Sequence, residues 1–312
     1  MQNFLLTAEI ILPLFLVMAA GYLCRWLKLF DEKNHRVMNN LVFRVFLPVL
    51  LMNNIRNASV SVLSSWPIFV YATVGVVAVF GLAWLIIPLV EKDDRKRGVM
   101  IQAIGRGNYA LFGIPLITSM FPGEDVSLAS VLLLIVIPLF NGLSVVVLEV
   151  YSGRSVNVKG ILKGIVTNPL ILSSVLGFVL LFTGVKLPGF LDEAINDIAG
   201  VASPFALFLL GGAITFSKIK GNLKQLIICV AGKLVLSPLL FLGIGVLLGF
   251  RGVELACLLI VFGAPTATSS FTMAQQMGGD GELAAEQVVF STALSIATVF
   301  VFIFAGMQLG LF

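Results

Sequence analysis

Two short stretches hold the residues best suited to chemistry. "NYALFGIPL" sets Asn108 and Tyr109 ahead of Gly113, Ile114, Pro115 and Leu116, and "VFGAPTATSS" sets Gly263, Ala264 and Pro265 ahead of Thr266, Thr268, Ser269 and Ser270. Both lie in long apolar runs, where a proline withholds a backbone donor and its ring crowds the preceding turn. The carbonyls of Leu111 and Val261 thereby lose their usual partners, and Gly113 and Gly263 let the chain leave helical geometry at low steric cost. Each stretch predicts a broken helix whose second half begins at the proline, with unpaired N–H groups and a positive dipole end at the gap. Lipid cannot satisfy such backbone, so it must be buried or line a polar cavity. Two such ends brought together would suit an anion, in particular a carboxylate held by backbone amides. The competing reading is a simple kink between packed helices, and the flanking hydroxyls and amides in both copies favour the site.

Charged and amide side chains within apolar runs add to this picture, because they are costly in lipid. Arg106 lies seven residues before Gly113, two helical turns, so it is expected on the face of the break, where it would attract or gate an anion; a snorkelling or structurally paired arginine is the alternative. Lys233 lies about a dozen residues into its span, about 18 Å deep at 1.5 Å per residue, beyond easy reach of water. It is expected to act as a fixed cation near the broken helices, in the role of a coupling sodium ion; a lysine packed against carbonyls is the alternative. Asn53, Asn54 and Asn141 are candidate polar lining, although such residues often only bond neighbouring helices.

Other chemistries find no support. His35 is the single histidine and is expected in a loop, so a histidine metal cluster or a His-based triad within the apolar runs is excluded. No "GxxxxGK[ST]" phosphate loop occurs, and no pair of acids within the spans suggests a proton relay. The three cysteines, Cys24, Cys229 and Cys257, are odd in number and lie in apolar surroundings, so they read as packing residues. The chain is therefore expected to be no enzyme and to carry no cofactor or metal.

The elements that must position these residues are membrane helices. Hydrophobic residues make up 59% of 312, charged ones 12%, and the mean hydropathy is +1.06, far outside the range of soluble domains. With about 20 residues needed per crossing, ten spans can be drawn, near 5–25, 34–55, 66–90, 98–121, 127–150, 160–184, 193–216, 222–249, 252–277 and 284–310. The first lacks a basic stretch before its apolar run and reads as a retained span rather than a signal peptide.

Basic residues concentrate in the loops after the odd-numbered spans: Arg25, Lys28, Lys33 and Arg36; Lys92, Arg95, Lys96 and Arg97; Arg154, Lys159 and Lys163; Lys218, Lys220 and Lys224. The alternate loops are nearly free of them, which places both termini outside. The net charge of +4 is thus a topology signal and not a nucleic-acid footprint. "NAS" at Asn57 would be a glycosylation acceptor only in a eukaryotic source.

Pro13 with Gly21 and Pro169 with Gly177 recur at a spacing of 156, as do Pro48 and Pro204, and Pro115 pairs with Pro265 at 150. Residues 1–155 and 156–312 are therefore expected to be two five-helix repeats. Five is odd, so the second must be inverted in the membrane, an arrangement typical of secondary transporters.

The spacing NxxxxGIPL, here Asn108, Gly113, Ile114, Pro115 and Leu116, resembles a signature of the auxin efflux carrier family. "FGAPTATSSFTMAQQMGGDGELAAEQVVFSTALS" is similar to that family's ninth and tenth spans, and "MNNLVFRVFLPVLLMNNI" to its second. The resemblance covers essentially the whole chain and extends in fold to the bile acid sodium symporters. It implies an all-α polytopic protein with helices 1, 2, 6 and 7 as scaffold. Helices 3–5 and 8–10 would form a transport domain crossed at the broken fourth and ninth. It also implies a homodimer, surrounded by membrane lipid and carrying small organic anions across the cell membrane by alternating access. The short central loop suits the bacterial organic-acid branch, so malate, malonate and related carboxylates are the expected substrates, with auxin-like acids less so. Whether sodium, proton or no ion is coupled stays open, and a channel or membrane sensor is the alternative.

Overall fold

The computed structural model describes residues 2–57, 65–152, 159, 166–213 and 221–312. Arg154, Lys163, Lys218 and Lys220, and the two residues after Asn57, lie outside the described residues. Among the described residues every regular element is helical.

In chain order the elements are α1 (Gln2–Trp26), α2 (Glu32–Leu41), a π-helical turn π1 (Val42–Phe46), α3 (Leu47–Arg56), α4 (Trp66–Val90), α5 (Asp94–Gly105), π2 (Tyr109–Gly113), α6 (Ile114–Met120), α7 (Ser127–Tyr151) and α8 (Pro169–Thr183). There follow α9 (Gly189–Gly212), α10 (Leu223–Ala231), π3 (Gly232–Leu236), α11 (Ser237–Leu247), α12 (Gly252–Gly263), α13 (Ser269–Gln276) and α14 (Gly281–Gln308). Seven continuous helical stretches among the described residues are long and apolar enough to cross a membrane. They are Phe4–Trp26, Glu32–Arg56, Trp66–Val90, Ser127–Tyr151, Gly189–Gly212, Leu223–Leu247 and Gly281–Gln308. Tyr109–Met120, Pro169–Thr183 and Gly252–Gly263 are shorter apolar helices. Leu85, Leu89 and Leu247 lie 72–87% exposed, a costly arrangement in water and a natural one for side chains facing lipid.

Prolines explain the π-turns. Pro48, Pro115 and Pro238 each stand two residues after one. In each case the residue before the proline donates its N–H five residues back: Leu47 to Val42, Ile114 to Tyr109 and Ser237 to Gly232. The widened turn moves the carbonyl that the ring would strike, so the helix passes the proline without breaking. This corrects the expected break at Gly113 and Pro115. Gly113 has φ −70 and ψ −49, ordinary helical values, and the chain runs through it into α6.

Helix α1 packs along α9, and α3 packs along both α8 and α9. Small residues set the first contact. A Cβ on Gly21 would fall 1.8 Å from the Phe208 carbonyl oxygen, and one on Gly211 would fall 1.8 Å from that of Met18, so the two backbones touch directly. At the second contact a Cβ on Gly177 would fall 3.0 Å from the Met52 carbonyl oxygen. Helices α4, α5 and α7 form another group, which joins α10, α11, α12 and α14 around the crossing described next. The cysteines are free, with Cys229 and Cys257 buried, in keeping with packing roles.

Candidate functional site

Two helices are interrupted in extended conformation, and the interruptions touch. Helix α5 ends at Gly105, after which Arg106 takes φ −99, ψ 115 and Asn108 takes φ −84, ψ 65. Helix α12 ends at Gly263, and Ala264 takes φ −63, ψ 148. Gly107 and Thr266 pair as an isolated antiparallel bridge. The Asn108 N–H donates to the Pro265 carbonyl at 2.7 Å, the Thr266 hydroxyl donates to the Ala103 carbonyl at 3.1 Å, and the Thr266 N–H donates to Ser291 Oγ at 3.0 Å.

The first break therefore lies at Arg106–Asn108, ahead of the expected position, whereas the second includes Pro265 as expected. Arg106 is part of its break instead of two turns before it. The breaks end their helices 158 residues apart (263 − 105), so the pairing of Pro115 with Pro265 at 150 does not describe them. The backbone amides of Asn108 and Thr266 also cannot serve as free ligands, because each already has a protein acceptor.

Side-chain donors face a cavity of about 830 Å³. Arg106, Gly107, Asn108 and Tyr109 line it from the first break, Thr268 and Ser269 from the second, and Asn141 from α7. Arg106 is only 8% exposed. Its guanidinium donates to Ser269 Oγ at 2.8 Å and contacts the Met273 sulfur, both neutral partners. None of the ion pairs among the described residues includes it. Asn108 is buried, and its Nδ2 finds no acceptor among the described residues. Tyr109 has its hydroxyl occupied, donating to the Ala129 carbonyl at 3.0 Å. This part of the lining thus combines a cation with neutral donors and, among the described residues, holds no carboxylate, as an anion requires.

The other expected residues fall elsewhere. Ile114, Pro115, Leu116, Gly263, Ala264, Pro265 and Thr266 are buried in the packing around the crossing and do not line the cavity, nor does Ser270. Gly113 matters for its missing side chain, since a Cβ there would sit 2.0 Å from Ile260 Cγ2. Gly113→Ala should lower thermal stability by about 1–3 kcal/mol. Because the obstacle is a side-chain methyl, adding Ile260→Ala should recover part of the loss in a melting experiment. Asn53 is remote from the cavity, accepting from Arg56 at 2.8 Å and donating to Asn196 at 3.0 Å, where Arg56 also pairs with Asp192. Asn54 donates to Ser130 at 3.1 Å. Lys233, 1% exposed, faces the Phe140 ring at 5.9 Å and lies behind Gly107 rather than in the cavity.

The sequence reading missed the cavity's other end. His35, expected in a loop, sits in the first turns of α2, with Nε2 2.8 Å from the Leu209 carbonyl oxygen. It lines the mouth with Glu32, Arg36, Asn39 and Asn40. Among the described lining residues Glu32 is the single acid, and it is paired with Arg25 at 2.7 Å and Arg36 at 3.5 Å. The signal available was polar residues recurring along one amphipathic face of "EKNHRVMNN".

Apolar helices exposing leucine, wrapped around two touching helix breaks and a polar cavity, define a polytopic membrane protein of transporter type. The chain belongs to the membrane transport protein family, that of the auxin efflux carriers, whose profile matches residues 6–158 and 152–303. It is 22% identical over 306 residues to an uncharacterized transporter of Methanocaldococcus jannaschii, covering 93% of this chain and 96% of that one. An uncharacterized transporter of Escherichia coli is 23% identical over 275 residues, 85% of this chain and 87% of its own. A putative malonate transporter of Rhizobium meliloti is 31% identical over 141 residues, 45% of this chain and 44% of its own.

Proposed function

We propose that this protein is a secondary transporter of small organic anions, carboxylates such as malonate or malate, working by alternating access across the cell membrane. The observation that carries the reading is that the buried Arg106 and the Asn108 amide, which finds no acceptor among the described residues, line one cavity whose described acid, Glu32, is already ion-paired at the mouth. A carboxylate would take a charge-assisted bond from Arg106 and a second bond from Asn108 Nδ2, with the Thr268 and Ser269 hydroxyls within the same lining. The putative malonate transporter among the relatives supports this substrate class.

The cavity extends from the crossing to the end of the bundle carrying Arg25 and Arg36, the cytoplasmic end if basic loops lie inside. Both termini would then be outside. Past the crossing, Leu116 and Ile117 are fully buried, which favours a carrier open to one side over a continuous channel. The ten-span inverted repeat is supported by the two breaks and by reciprocal packing. The first helix of each half lies against the second of the other, α1 on α9 and α8 on α3, with Gly21 and Gly177 at the contacts. Helices α1, α8 and α9 and the continuous stretch α2–π1–α3 would be the scaffold, the remainder the moving domain, and a homodimer the working unit.

Binding of radiolabelled malonate and malate to purified protein tests the site. Asn108→Ala should weaken binding about tenfold, the worth of one hydrogen bond to a charged group, and uptake into proteoliposomes should saturate and show counterflow. Undiminished binding by Asn108→Ala would remove the amide from the site, and non-saturating flux would favour a channel.

A further inference from the structure

We propose that Lys233 is a tethered cation serving the carbonyl ends of the two broken helices, the place where carriers built on broken helices otherwise bind a coupling sodium ion, so that transport by this chain needs no sodium. This rests on the carrier reading above but concerns a different group and a different ligand. Lys233 stands in π3, and it is 1% exposed, so its ammonium cannot reach water by extending along the helix. The Val261 carbonyl, one turn before the second break, has lost its helical donor because Pro265 has no N–H. A Cβ on Gly107 would lie 3.2 Å from Lys233 Nζ and 3.5 Å from the Val261 oxygen. Ammonium and freed carbonyl therefore flank the same point of the first break.

Helices α5 and α12 both end here, at Gly105 and Gly263, so the negative ends of two dipoles meet beside this charge. The face of the Phe140 ring, with its centroid 5.9 Å from Nζ, adds a further electronegative surface. None of the ion pairs among the described residues includes Lys233, so its compensation comes from carbonyl ends and ring rather than a carboxylate. Such surroundings suit sodium equally well. A covalently held cation, unlike sodium, stays with the site throughout the cycle and draws on no ion gradient.

Two measurements test this. In thermal unfolding of purified protein, the native chain should melt at the same temperature in sodium chloride and choline chloride. Lys233→Ala should melt lower and regain part of the loss in sodium but not in choline. In proteoliposomes, malonate uptake by the native chain should be equal in the two salts, and Lys233→Ala should lose most of it in choline chloride. Sodium-dependent melting or uptake of the native chain would overturn the proposal, as would native melting of Lys233→Ala without a sodium response. Should Lys233→Ala not fold, the native comparison still decides, with Lys233→Arg expected to keep sodium-independent melting. Absence of malonate and malate uptake in both salts would count against the carrier reading, while the melting experiment would still judge the tethered cation.

Discussion

Arg106→Met should weaken malonate binding on the order of a hundredfold or more while leaving the melting temperature of the empty protein unchanged or raised. The two effects have opposite signs because of what surrounds the guanidinium. It is 8% exposed, bonds Ser269 at 2.8 Å, touches the Met273 sulfur and has no carboxylate partner among the described residues. A desolvated cation held by neutral groups contributes little to folding, and an apolar side chain of similar length removes that cost. A bound anion, by contrast, recovers the full interaction with a poorly solvated charge, and truncating one partner of such a pair costs about 2–5 kcal/mol. Arg106→Lys should fall between, since it keeps the charge but loses the planar fork. A purely structural arginine would give the reverse pattern, with melting lowered in Arg106→Met and binding unchanged in whatever protein remained folded. Equilibrium binding and thermal unfolding on the same preparations separate the two.

Composition alone shows a membrane protein, because 59% hydrophobic residues cannot be packed inside a soluble chain of this length. The second break was equally legible, since Pro265 lies in the extended segment that "VFGAPT" predicts. The first was displaced because a proline offers the backbone two outcomes, a break or a π-turn, and local sequence does not choose between them. At Pro115 the π-turn prevails, while "GRGN", with glycines on both sides of Arg106, becomes the extended stretch once Gly107 can pair with Thr266. That pairing joins residues 159 apart (266 − 107), so no window of sequence reveals it. The same holds for Lys233. Its depth could be counted along the span, but its approach to Gly107 depends on how α5 and π3 pack. Asn53 illustrates the opposite error, an amide in an apolar run whose partners, Arg56 and Asn196, are structural.

Gly21→Ala should, like Gly211→Ala on the facing helix, be among the most damaging methyl additions in the paired helices, at about 3 kcal/mol or more. The new Cβ would lie 1.8 Å from the Phe208 carbonyl oxygen and 2.7 Å from its carbon. Both are backbone atoms, so no rotamer change relieves the overlap and α1 must move off α9. That movement loses the close approach on which helix association in lipid depends, where packing rather than the hydrophobic effect holds helices together. Gly177→Ala should cost less, because its Cβ would stand 3.0 Å from Ile55 Cβ and the Met52 oxygen, an overlap that a small shift of α8 relieves. Gly200→Ala, in α9 with nothing within 4 Å of the added carbon, should be neutral or stabilising by up to about 1 kcal/mol through helix propensity. Melting of the three purified variants should therefore rank Gly21→Ala lowest, Gly177→Ala next and Gly200→Ala at or above native. A Gly21→Ala protein that melts like the native one would mean α1 and α9 are not held backbone to backbone. The reciprocal packing that supports the proposed inverted repeat and scaffold would then lose its principal support.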